Sequence, residues 1–237
     1  MSHLEKTIVL LPVFKPGPHL SELATALLTE VPHPSHVVIV DDGTGPAADA
    51  RLAEIEALGC TVLRLPVNRG KGVALKTGFR HLQSRHPGFA VVCADGDGQH
   101  SVADIRAVAE RAEPGRIVLG VRRFDRMPPR SRFGNTVTQA VFRAATGRMV
   151  TDTQTGLRAY PADLLDQLCA VPGDRFEYEM NVLLHAAATG RPIDEVPVPA
   201  TYLSGNASSH FSGLADSARI YAPLLRHVLF SPRVTAD

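Results

Sequence analysis

Two aspartates stand two residues apart in Ala94-Asp95-Gly96-Asp97-Gly98-Gln99-His100, directly after an apolar run. Carboxylates leaving a buried strand at this spacing bring hard oxygens to one point, as Mg2+ or Mn2+ requires. Such a cation bridges to a diphosphate and neutralises it as a leaving group. Gln99 offers a further, neutral oxygen. The plain alternative is a solvated acidic turn, but nothing structural calls for three acceptors at the mouth of a sheet.

Other segments carry complementary chemistry. Val37-Val38-Ile39-Val40-Asp41-Asp42-Gly43-Thr44 delivers two carboxylates from a second apolar run. They suit base N–H groups or ribose hydroxyls, or else cap the next helix. Asn68-Arg69-Gly70-Lys71-Gly72 combines glycines that allow close backbone approach with cations for phosphate, ahead of a helix N-terminus. It lacks the spacing of a Walker loop. Arg122, Arg123, Arg126, Arg130 and Arg132 place five arginines in eleven residues. Arginine suits bidentate phosphate binding, and a solvated basic loop is the other reading. In Asp152-Thr153-Gln154-Thr155-Gly156-Leu157-Arg158, Asp152 or Gln154 could meet a sugar and Arg158 a phosphate. A turn with Gly156 at positive φ accounts for the same residues. Phe176-Glu177-Tyr178-Glu179 opens a helix, where the dipole already favours acids.

The elements that must position these groups alternate. Strands are expected at Thr7–Val13, Val37–Val40, Thr61–Leu65, Phe89–Ala94 and Ile117–Val121, with helices at about 18–30, 47–58, 71–84 and 101–111 between them. This pattern predicts an α/β fold with a mainly parallel sheet flanked by helices. Ligands of such sheets lie beyond the carboxyl ends of the strands, which is where both acidic clusters fall. Arg122–Arg132 reads as a loop, 133–146 as a helix, and Asp152–Tyr160 as a loop or short strand. Phe176–Ala188 reads as a helix, Ile193–Val198 as a strand, and 212–230 as an amphipathic helix. Residues 1–211 then form one domain and 212–237 a C-terminal appendage.

The bulk composition narrows the function. The chain has 237 residues, 44% of them hydrophobic, enough for one sizeable core. A net charge of +1 gives no reason to expect nucleic-acid binding. Three scattered cysteines match a reducing compartment. No signal peptide is evident, and no run reaches the roughly 20 apolar residues that span a bilayer. The expectation is a cytoplasmic protein. The 212–230 helix, with Ile220, Leu224, Leu225, Val228 and Leu229 on one side, offers a face for the domain, a homodimer partner or the inner membrane surface.

Taken in order, Val-Asp-Asp-Gly (40–43), Asn-Arg-Gly-Lys-Gly (68–72), Asp-Gly-Asp-Gly-Gln-His (95–100), Asp-Thr-Gln-Thr-Gly-Leu-Arg (152–158) and Phe-Glu-Tyr-Glu (176–179) resemble family 2 glycosyltransferases of the GT-A fold. The likeness covers about residues 5–202 and is strongest to the dolichyl- or polyprenyl-phosphate mannose and glucose synthase branch. It implies that Asp42 lies in the nucleotide pocket with Pro12 and Asp41 nearby. It implies that Asp95 and Asp97 form the metal motif beside Gln99, and that Arg122 and Arg132 hold an acceptor phosphate. Lys71, Gln154 and Glu177 would join the nucleotide-sugar pocket. The Gln-x-x-Arg-Trp motif of processive members is missing, and the chain has no Trp. The membrane helices of many polyprenyl-phosphate enzymes are missing too.

The expected reaction is inverting transfer of a hexose from a UDP- or GDP-sugar to a polyprenyl phosphate. A glycan hydroxyl as acceptor would need a general base, for which Glu177 and Glu179 are candidates. Two readings of other classes remain. A haloacid-dehalogenase-like phosphatase also carries Asp-x-Asp-Gly after a strand, though on its first strand. A non-catalytic nucleotide-sugar-binding protein would keep the pocket without turnover.

Overall fold

The computed structural model describes residues 6–122 and 129–199. The strands are β1 (Thr7–Val13), β2 (Val37–Asp41), β3 (Thr61–Arg64), β4 (Ala90–Cys93), β5 (Ile117–Arg122), β6 (Arg158–Tyr160) and β7 (Ile193–Val198). The helices are α1 (His19–Leu27), α2 (Asp49–Ala57), α3 (Lys71–Arg85), α4 (Val102–Ala109), α5 (Pro129–Thr146), α6 (Leu165–Ala170) and α7 (Glu177–Ala188).

One sheet runs in the order β3-β2-β1-β4-β6-β5-β7. Every pairing is parallel except those of β6, which runs antiparallel to both β4 and β5. β1, β2, β4 and β5 therefore end at one edge, and β6 begins there. The residues from Asp152 to Arg158 reach that edge by entering the sheet against the common direction.

Both faces of the sheet are covered, so its strands read as continuous apolar runs rather than alternating ones. Side chains of β1 alternate: Ile8 and Leu10 pack with Phe79, Leu82, Tyr178 and Leu183 on one face. Val9 and Leu11 pack with Leu20, Leu27, Leu52 and Ile105 on the other. α4 starts with a capping box, Ser101 and Asp104 each bonding the other's backbone N–H.

Several expectations shift in the structure. Arg122 belongs to β5, paired with Val198, and the helix expected from 133 begins at Pro129. Proline has no N–H to lose in the first turn of a helix, so Pro129 starts α5 where it had suggested a loop. α6 was not anticipated, because six residues are too few to display a helical period. Gly156 is not among the glycines at positive φ. The expected helix at 212–230 and the domain division near 211 lie outside the described residues.

Gly78 shows how closely α3 lies on β1. A Cβ at this position would stand 2.5 Å from Leu10 Cδ1 and 2.6 Å from Cδ2. Leu10 is fully buried and has nowhere to retreat. Helix propensity alone says that Gly78→Ala stabilises by about 1 kcal/mol. We expect the opposite, a loss of about 1–3 kcal/mol from overpacking, read as a lower urea midpoint at unchanged slope.

Candidate active site

The carboxyl edge of the sheet gathers most of the polar groups singled out above. Asp42 follows β2 and is 4% exposed. Its carboxylate accepts from Asn68 Nδ2 at 2.9 Å, Arg69 N at 2.8 Å and Gly70 N at 2.7 Å. The Gly-rich loop is thus latched onto β2, and two of its amides point at a protein carboxylate. Burial pushes the Asp42 carboxyl above its usual range, against the pull of the Arg69 and Gly70 amides. Asn68 Oδ1 in turn accepts from Arg175 Nη1 at 3.2 Å. Nothing in the sequence had signalled Arg175, because 107 residues separate it from Asn68.

Asp41 closes its own turn, accepting from Thr44 N and, at 2.5 Å, from Thr44 Oγ1. This is the capping reading of the pair, realised by Asp41, while Asp42 carries the cross-loop latch. Pro12 lies buried in β1 beside Val40 of β2.

Asp95 leaves β4 and meets Lys71, the first residue of α3. Lys71 Nζ stands 2.7 Å from Asp95 Oδ1 and 2.8 Å from Glu179 Oε2 of α7. Burial alone would lower the lysine pKa, but the two carboxylates reverse this and hold it above the usual range. Burial likewise opposes ionisation of Asp95, but Lys71 together with His100 and Arg122 outweighs it, so Asp95 stays below its usual value. Asp97 moves the other way: burial, and then the charge on Asp95, raise it. Asp97 accepts from Gln99 N at 3.1 Å and Gln99 Nε2 at 2.8 Å. Among the described residues no three His, Cys, Asp or Glu side chains converge to form a cation cage.

Gly156 is required by contact. A Cβ there would collide with Asp95 Oδ2. The 152–158 segment presses its backbone against the metal-motif carboxylate, and any side chain would displace it. Asp152 is fully buried and takes Arg122 in a fork, Nε–Oδ2 at 2.7 Å and Nη2–Oδ1 at 3.1 Å. Arg122 is thereby fixed at the same edge.

Arg132 is exposed on α5. Gln154 is exposed and its amide lies about 4.0 Å from the Cβ position of Gly134 on the same helix. Arg123 and Arg126 lie outside the described residues.

Two sequence readings change. Arg158 is 1% exposed and donates to the carbonyls of Glu179, Thr155 and Thr153 at 2.7, 2.8 and 3.2 Å. It braces the core beneath the site and is not presented to a ligand phosphate. Glu177 Oε1 accepts from Asp174 N and Arg175 N at 3.0 and 3.1 Å, so it caps the loop before α7. Glu179, considered only as a base, is 8% exposed and shared between Lys71 and, at 3.7 Å, Arg158.

The family model described as glycosyl transferase family 2 matches residues 8–165. The chain is similar to an uncharacterized protein of Methanocaldococcus jannaschii, 30% identical over 175 residues and 70% of each chain. It is also similar to an undecaprenyl-phosphate mannosyltransferase of Micrococcus luteus, 30% identical over 176 residues, 69% of this chain and 71% of that one. Among solved structures, glucosyl-3-phosphoglycerate synthase from Mycobacterium tuberculosis, in complex with Mn2+, UDP and glucosyl-3-phosphoglycerate, superposes with a TM-score of 0.68. That match covers 97% of this chain and 82% of the synthase at 17% identity, a likeness of fold.

His100 had no assigned role in the motif. It is 5% exposed and its Nδ1 is buried with no hydrogen-bond partner. Burial, first of all, lowers its pKa from 6.5. The unfolded chain takes up a proton more readily than the folded one. Stability from a neutral His100 is complete above pH 6.5 and is lost as pH falls through the folded value. Urea midpoints at pH 7.5 and 5.5 should therefore differ less in His100→Gln than in the unsubstituted protein. An equal or larger drop in the variant would contradict this account.

Proposed function

The chain belongs to glycosyl transferase family 2, and on that premise we propose that it moves a hexose from a UDP- or GDP-sugar to a polyprenyl phosphate, with inversion at the anomeric carbon. The observation that carries the proposal is the meeting of Asp95, through Lys71, with the Asp42-latched loop at one sheet edge, where Asp97 follows two residues on. The 30% identity to an undecaprenyl-phosphate mannosyltransferase supports the acceptor class.

The oxygen-rich pair fits a hard divalent cation. Two carboxylates leave the same strand end, and the charge of one already raises the pKa of the other. Asp95, Asp97 and the Gln99 carbonyl oxygen would hold Mg2+ or Mn2+, with diphosphate oxygens and water completing the shell. That ion supplies charge neutralisation to the departing nucleoside diphosphate. Asp42, with Pro12 and Asp41 beside it, lines the nucleotide pocket. Gln154 faces the sugar, while Lys71 and Glu177 keep the surrounding loops in place. Arg122 and Arg132 receive the acceptor phosphate.

A phosphate monoester is largely ionised near pH 7, since its second pKa is about 6, and it attacks without a base. What remains for the protein is alignment and electrostatic stabilisation. The commitments of Glu177 to backbone amides and of Glu179 to Lys71 favour this acceptor over a sugar hydroxyl. The dehalogenase-like reading fails on position, because the Asp-x-Asp segment follows β4, and the family match excludes it. Among the described residues no helix is long and apolar enough to cross a membrane. We place the enzyme in the cytoplasm, working peripherally at the membrane's inner face.

Thermal shift against UDP- and GDP-sugars with Mn2+ identifies the donor through stabilisation of the native state. Asp97→Asn should cut metal-dependent transfer by at least about 100-fold and leave the melting temperature without donor nearly unchanged. Undiminished transfer by that variant would refute the metal assignment. Liposome flotation of the whole chain and of a chain ending at Leu214 tests the surface contact. We expect only the whole chain to float; equal behaviour of the two assigns residues 215–237 no part in it.

A further inference from the structure

The proposed donor site contains its own competitor for the cation. Lys71 Nζ lies between Asp95 and Glu179 at 2.7 and 2.8 Å, with only 13% of its side chain exposed. A lysine in that position cannot swing into solvent without giving up both carboxylate contacts. The charge is permanent and held against the metal-motif carboxylate. The nearby Arg122 is directed by Nε and Nη2 onto Asp152. Lys71 puts its cation in direct contact with Asp95.

Resting on the donor-site reading above, we infer that Lys71 makes retention of the divalent cation conditional on the nucleoside diphosphate. Its ammonium cancels part of the negative charge that Asp95 presents, so the protein alone offers a dication too little charge. A diphosphate brings its own anionic oxygens and restores the balance, because charges this close and this poorly solvated interact strongly. Glu179 is the positioning residue of the arrangement. It keeps Lys71 from surrendering wholly to Asp95, and through α7 it ties the donor site to the 172–176 loop. That loop reaches Asn68 through Arg175 and the backbone of Val73 through the carbonyl of Asp174. Cation affinity is thus set by a group that is not itself a ligand.

The test is direct binding of Mn2+ to the full chain, read from the free-ion electron paramagnetic resonance signal, alone and with UDP or GDP. The unsubstituted protein should bind Mn2+ weakly alone and at least tenfold more tightly, on the order expected for an added close charge, with the matching diphosphate. Lys71→Met should bind Mn2+ alone about tenfold more tightly and lose most of the enhancement by diphosphate. Because Lys71→Met leaves Glu179 buried without its ammonium, Lys71→Met/Glu179→Gln serves as a charge-balanced second variant, with the same result expected. Folded variants that keep the original affinity and enhancement, or bind Mn2+ more weakly, overturn the inference alone. Unfolding of both variants also overturns it, since the pair would then serve the fold. Absence of any effect of UDP or GDP on the unsubstituted protein sinks the donor reading itself.

Discussion

A single buried ammonium holds the site together. Lys71 opens α3, Asp95 follows β4 and Glu179 lies in the first turn of α7, and these segments are far apart in sequence. Holding Lys71 and Glu179 largely out of water beside the part-exposed Asp95 is costly unless each charge is paired and further hydrogen-bonded. Here Glu179 also faces Arg158, whose guanidinium is spent on three carbonyls. The network fixes the depth at which α3 and α7 meet the sheet. Glycines complete the fit: a Cβ on Gly72 would collide with Tyr178, and one on Gly156 with Asp95. The polar floor and the close backbone approaches are two sides of one packing solution.

The reversed strand β6 solves a topological problem. A parallel sheet brings only strand ends to its carboxyl edge, each after a long crossover. By running backwards between β4 and β5, β6 brings its leading segment there instead. Asp152 can then grip Arg122 at the end of β5 while Gly156 lies on Asp95 at the end of β4. The polar groups at the ends of β4 and β5 become neighbours because one short strand opposes the rest.

The regular half of this arrangement was legible from residue patterns. β1 and β7 fall at their expected bounds, and β2 to β5 within a residue or so, because two-sided burial produces uninterrupted apolar runs. The acidic segments announced themselves by following those runs. Side-chain partnerships were not legible. Nothing local distinguishes Asp41, which closes its own turn, from Asp42, which reaches 28 residues on to Gly70. Arg158 looked like a ligand-binding cation because sequence cannot tell a buried arginine bonded to carbonyls from an exposed one. Glu177 and Glu179 share a helix turn and a residue type, yet one caps backbone and the other holds a lysine, and tertiary context alone separates them.

The latch from Asp42 to the Gly-rich loop bears on how a donor would be received. Amides of such loops commonly form an empty anion cradle, open to any passing phosphate or sulfate. In this chain the amides of Arg69 and Gly70 are already answered by a carboxylate. The loop acquires its shape when the chain folds and carries a negative guard at its centre. An arriving nucleotide then does not have to bear the entropy of ordering that loop.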